Sequence, residues 1–133
     1  MTTQNILPYR TTFANLAAAT YYYPSATGVN CDTFDHLQFR LKLVSGDVNN
    51  TLEATVEADD GFTGTFEWPE TRGLYDFLTG GWGAASWIAT NTTTRARGIA
   101  WDHNARLWRV KLVVTLGAAA NNSGIVGIRG VKV

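Results

Sequence analysis

The sequence predicts an all-β protein: an antiparallel β-sandwich or jelly-roll-like barrel with an extended N-terminal arm and at most one short helix. Three observations carry this. Stretches of strict apolar/polar alternation recur along the chain, Gly and Asn cluster between them, and almost no stretch keeps helical spacing.

Residues 1–16 lack alternation and hold scattered Ile6, Leu7, Tyr9 and Phe13, so they read as an extended arm. Such an arm is too apolar for a solvated tail. It is expected to stay disordered until it lies on a neighbouring subunit, adding backbone hydrogen bonds and those four side chains as anchors. Residues 17–133 then form a single sandwich domain. Ala17 to Ala19 would make a helical turn, and Tyr21 to Tyr23 a strand.

From Phe34 to Val44, Leu37, Phe39, Leu41 and Leu43 share one face while His36, Gln38, Arg40 and Lys42 share the other, the period of a half-buried strand. Leu52, Ala54, Val56 and Ala58 alternate with Thr51, Glu53, Thr55 and Glu57 in the same way. Asp59-Asp60-Gly61 reads as a turn leading into a strand from Phe62 to Trp68. Leu74, Phe77 and Leu78 give Glu70 to Thr79 the spacing of a short helix, ended by Gly80-Gly81. Ser86 to Thr90, Gly98 to Trp101 and Ile125 to Val133 are rich in aromatic and β-branched residues and read as strands. Between them Trp108, Val110, Leu112, Val114 and Leu116 face the core, with Arg106 and Lys111 outward. Ala118 to Asn122 is expected to be a hairpin loop.

The chain has 133 residues, one domain's length, which excludes a multidomain enzyme. It is 45% hydrophobic and only 17% charged, against about 25% charged in typical usage. Its surface is therefore largely Thr, Asn, Gly and Ala. Cys31 is the one cysteine, so no internal disulfide forms. The first residues carry neither the basic nor the apolar region of a secretory signal, and no apolar run reaches the ~18 residues of a membrane span. The Asn-x-Ser/Thr triplets at Asn49, Asn91 and Asn121 read as chance in an Asn/Thr-rich chain.

Zero net charge conceals a division. Between Asp32 and Asp76, ten acidic residues against Arg40, Lys42 and Arg72 give −7; from Arg95 onward, seven basic residues against Asp102 give +6; Arg10 adds the last unit. Either acidic and basic strands pair across one sheet, or oppositely charged faces steer copies or partners together. Seven cations over five segments do not make a phosphate-binding stripe, so no nucleic-acid partner is expected.

Ala19-Thr-Tyr-Tyr-Tyr-Pro-Ser, Phe34-Asp-His-Leu-Gln-Phe-Arg-Leu-Lys-Leu, Leu52-Glu-Ala-Thr-Val-Glu-Ala-Asp-Asp-Gly and Trp108-Arg-Val-Lys-Leu-Val-Val-Thr form a layout that resembles small β-sandwich virion proteins of tailed bacteriophages. The likeness runs from about Ala19 to Val133 and contains no catalytic motif. It implies a capsid decoration (cement) protein or another accessory head protein. Such a protein would be made in the host cytoplasm and carried on the capsid surface, with virion proteins as partners and a homotrimer as the favoured state. Gly73 to Arg97, bearing Trp82 and Trp87, is an insertion relative to that pattern.

No catalytic constellation is legible. His36 and His103 lack the further ligands of a zinc site, Cys31 has no neighbouring cation, and Asp59 and Asp60 with Asp47 fall short of a calcium shell. Glu53 and Glu57 read as a solvated face or as partners of Arg40 and Lys42. No metal, cofactor or enzymatic activity is expected. Trp82 and Trp87 either anchor a protein or glycan partner or plug the end of the sandwich. A glycan-binding module or the receptor-binding head of a fibre is the alternative function.

Overall fold

In the structure, a computed structural model, residues 4–59, 64–67, 75–76, 81–83, 86–90, 93–101, 106–115 and 121–132 are described, with backbone alone at 4–8, 81, 82, 97 and 101. Among the described residues there are eleven strands and no helix: β1 Gln4–Leu16, β2 Ala19–Tyr23, β3 Val29–Asn30, β4 His36–Val44, β5 Thr51–Asp59, β6 Tyr75–Asp76, β7 Gly81–Trp82, β8 Ser86–Thr90, β9 Thr93–Trp101, β10 Leu107–Thr115 and β11 Asn122–Lys132. They form two antiparallel sheets packed face to face. One has six strands in the order β1-β11-β4-β9-β6-β7; the other runs β2-β10-β5-β8, with β3 also on β10.

The long alternating segments fold as their pattern dictates. Leu37, Phe39, Leu41 and Leu43 of β4 and Val126 and Ile128 of β11 face Leu52, Ala54, Val56 and Ala58 of β5 and Trp108, Val110, Leu112 and Val114 of β10, all buried in one cluster. Phe39 and Trp108 meet across the two layers with ring centroids 6.0 Å apart. Each fully buried Leu, Val or Ile contributes roughly 1.5–3 kcal/mol relative to exposure, so this cluster is the main source of stability.

Several local expectations give way to the tertiary pattern. Residues 4–16 are extended, but they are not an arm separate from the domain: they form the edge strand β1, paired with β11 from Gln4↔Lys132 to Leu16↔Asn122. The alternation there is real once two irregularities are allowed for, since Tyr9 and Thr11 are half-buried and Phe13 buried while Arg10, Thr12 and Ala14 are exposed. Register shifts at Asn5/Leu7 and Phe13/Leu16 interrupt the pattern. The second contains Asn15 at φ 55°, a left-handed conformation that Asn adopts more readily than most residues.

Ala17 to Ala19 is a corner, not a helical turn. The chain passes there from the six-stranded to the five-stranded sheet, and the Tyr21 hydroxyl donates to the Ala17 carbonyl at 2.9 Å. Within the expected helix Glu70 to Thr79, Tyr75 and Asp76 are strand β6, opposite Trp82 and Gly81 of β7; the remaining positions lie outside the described residues. Of the expected strand Phe62 to Trp68, the described part is Gly64 to Glu67, and it makes a single bridge, Glu67 to Ala58. The turn at Asp60-Gly61 also falls outside the description. Ala118 to Asn122 cannot close a hairpin, because β10 and β11, the strands that flank it, lie in different sheets.

A polar network closes the end of the sandwich where β4 turns into β5. The Ser45 hydroxyl lies 2.9 Å from the carbonyls of both Asp47 and Asn50. Oδ1 of buried Asn122 accepts from the Gly46 amide at 3.1 Å and from Asn50 Nδ2 at 3.0 Å, while its own Nδ2 donates to the Leu16 carbonyl. One asparagine thereby ties β1, the β4–β5 loop and β11 together and satisfies buried polar groups that would otherwise be costly.

Candidate functional site, a basic sheet face

Strand alternation and pairing order together decide which charged residues become neighbours. On the outer face of the six-stranded sheet, Arg10 lies opposite Gly127, Gly127 opposite Arg40, and Arg40 opposite Arg97. The adjacent row is Thr12, Ile125, Lys42 and Arg95, and the next holds Pro8, Arg129, Gln38 and Ile99. Neighbouring strands are about 4.8 Å apart and alternate residues on a strand about 6.8 Å. These rows therefore bring Arg10, Arg40, Lys42 and Arg95 around one open depression of about 370 Å³, floored by Gly127 and Ile125.

Among the described residues no carboxylate occupies these rows. Two ion pairs, Arg106 with Asp32 at 3.5 Å and Arg109 with Glu57 at 3.0 Å, lie away from this face. Lys42 is half-buried while Arg10, Arg40, Arg95 and Arg129 are exposed. Arg40 and Lys42 come from the acidic half of the sequence, so folding sorts charge by face and not by position along the chain. Of the seven late cations, Arg109 and Lys111 belong to the other sheet, while Arg95 and Arg129 join Arg10, Arg40 and Lys42 once β1, β11, β4 and β9 lie side by side.

Gly127 differs from the other glycines of β11. A Cβ added at Gly124 would sit 2.0 Å from the Lys42 carbonyl oxygen and 2.6 Å from the Phe13 ring, and one at Gly130 would meet the Phe34 ring at 2.6 Å. Those two face inward, where there is no room. A Cβ at Gly127 would meet nothing nearer than 3.5 Å. Packing does not demand glycine there, and its effect is to keep the depression open.

The residues singled out from sequence are placed as follows. Phe13 is buried and stacks on Tyr23 at 6.0 Å, and Tyr9 packs against the same core; both serve their own domain and are not free to anchor a partner. Leu7 pairs with Gly130, and Ile6 sits at the register shift beside it, with both side chains outside the description. Trp87 lies opposite Ala54 on β8 and packs against the core, which makes it a plug of the sandwich. Trp82 lies opposite Tyr75, its side chain outside the description.

The other described candidates are buried or engaged within the chain. Cys31 is fully buried, and desolvation, with the nearby Asp32 charge adding to it, pushes its thiol up to about 12. His36 is buried with Nε2 3.4 Å from Gln38 Nε2, and His103 lies outside the description. Among the described residues no three His, Cys, Asp or Glu groups converge as a metal site would require. Glu57 pairs with Arg109 and not with Arg40 or Lys42, which belong to the other sheet. The arrangement can attract and hold anionic groups; it holds no nucleophile or acid/base pair. No protein-family model and no curated protein sequence matches the chain.

Proposed function

We propose that the chain is a non-enzymatic structural protein of a phage virion, a capsid decoration protein that attaches to the head and acts by contact alone. The observation that supports this reading is the division of labour in the sandwich. The reactive groups Cys31 and His36 are buried, while one broad sheet face carries cations that have no ion-pair partner among the described residues and are suited to attachment. On the particle the proposed state is a homotrimer, in which many modest contacts are repeated by symmetry. With Trp87 turned into the core, the glycan-binding alternative loses one of its two aromatic anchors.

Cryo-electron microscopy of intact virions encoding the chain, with mass spectrometry of their proteins, tests this directly. The expected result is a sandwich-shaped density on the head, in fixed ratio to the shell subunit. A chain missing from purified particles overturns it.

A further inference from the structure

We propose that the outer face of the six-stranded sheet, centred on Gly127, is the docking surface, and that its occupant is an acidic protein surface presenting clustered Asp and Glu carboxylates. The inference rests on the reading of the chain as an attachment protein and names the chemistry of the partner.

Two independent features point to a bound anion. Like charges directly opposed on antiparallel strands destabilise a sheet, yet Lys42 lies opposite Arg95, and Arg97 holds the register position opposite Arg40. The fold gains nothing from that arrangement; a ligand carrying negative charge relieves it. Separately, Gly127 leaves a gap between Arg10 and Arg40 that packing does not require. A β-branched residue would suit the strand better and would close the depression.

The composition of the face favours carboxylates on a protein over a phosphate polymer. Arg10, Arg40, Arg95 and Arg129 outnumber Lys42, and Arg is enriched in protein interfaces where Lys is depleted. The cations form a patch three rows deep across four strands, not a stripe that a nucleic-acid backbone could follow. Net charge is zero and the pI about 6.7, far from the basic balance of nucleic-acid-binding domains. The rows through Arg10 and Lys42 hold no described aromatic side chain, and Tyr75, opposite Ile99 at the far end of the Arg129 row, is half-buried, so the depression itself has no stacking platform for bases.

A second copy of the chain is a poorer occupant. Asp32 and Glu57 are already ion-paired, Asp47 accepts from its own loop, and Asp35, Asp59 and Asp76 are engaged within the chain. Glu53 and Glu67 are exposed, but among the described residues no three acidic groups converge to match the basic face.

The test uses the whole chain and poly-L-glutamate as probe, followed by fluorescence anisotropy at low salt, with random-sequence duplex DNA at equal charge concentration as the second arm. Poly-L-glutamate should bind. The double variant Arg40→Glu/Lys42→Glu should lose at least tenfold in affinity, and Gly127→Val severalfold without change of net charge. Circular dichroism melts of both variants should be no lower than that of the parent. Tighter binding of DNA than of poly-L-glutamate overturns the carboxylate assignment, and binding that survives the charge reversal overturns the surface. Particle occupancy separates this proposal from the reading beneath it. If the face binds poly-L-glutamate but virions lack the chain, the virion reading fails alone. If virions carry the double variant at parental occupancy, the docking face fails alone.

Discussion

The two outer faces of the sandwich use the same residue type in opposite ways. On the five-stranded sheet Arg109 lies directly opposite Glu57, with Nε 3.0 Å from the carboxylate and both side chains less than one-sixth exposed. Its guanidinium is held between the rings of Tyr22 at 4.1 Å and Phe66 at 3.8 Å, and Nη1 donates to the Ala26 carbonyl at 2.6 Å. On the six-stranded sheet Arg40 has the same kind of position, outward on an inner strand, and lies opposite another arginine. Nε and Nη1 of Arg109 are both answered within the chain; among the described residues no carboxylate lies opposite Arg40. An arginine on a sheet is therefore no guide to function until its cross-strand neighbours are known.

The largest effect that would break this contrast is the loss of Arg109. Arg109→Ala strands the Glu57 carboxylate and uncovers two rings, and should cost about 3 kcal/mol in urea denaturation. Arg40→Ala should cost nothing and gain a few tenths of a kcal/mol from relieved repulsion. Equal losses in the two variants would abolish the distinction. The glycines of β11 sharpen it within one strand. Gly124→Ala, which drives a methyl into the Lys42 carbonyl and the Phe13 ring, should cost on the order of 1–3 kcal/mol. Gly127→Ala should be stabilising by about 0.5 kcal/mol.

The interior between the two faces titrates with a predictable sign. Cys31 ionises near 9 when unfolded and about 12 when folded, so its contribution is complete below pH 9 and declines from there to about pH 12. The slope is about 1.4 kcal/mol per pH unit, because the unfolded chain releases the proton first. Tyr9 and Tyr23, both raised chiefly by burial, push in the same direction at the alkaline end. Comparison of alkaline melts with Cys31→Ala isolates the thiol's share, and identical pH profiles would refute it. The smallest effect expected is ionic. Added NaCl should stabilise the protein by a few tenths of a kcal/mol by screening the six-stranded face, and Arg40→Thr/Lys42→Thr should abolish that increment.

Sequence periodicity located β4, β5 and β10 closely, because each buries one face and its alternation is uninterrupted, while composition alone located β8. It missed β1, where Pro8, two register shifts and a left-handed Asn15 break the period, and where an edge strand needs support from one neighbour only. It placed a helix over Tyr75 and Asp76, whose pairing with β7 and β9 is invisible to local spacing. The basic face was half legible. Arg40 and Lys42 alternate outward on β4, but nothing local says that β9 and β11 flank that strand with Arg95 and Arg129, or that β1 brings Arg10. Pairing order is a property of the whole chain, set by which apolar faces close the core best.

That pairing order also fixes when the domain can exist during its own synthesis. Apart from β6 and β7, no two consecutive strands are hydrogen-bonded to each other; β1 waits for β11, and β2 and β3 wait for β10. At roughly 5–20 residues per second, the N-terminal strands spend on the order of 5–20 s without their partners while a ribosome completes the rest. Until the last two strands emerge, each sheet lacks one of its inner strands. Prematurely terminated products should therefore be cleared or aggregate as unpaired β segments, since no shorter piece contains a closed sandwich.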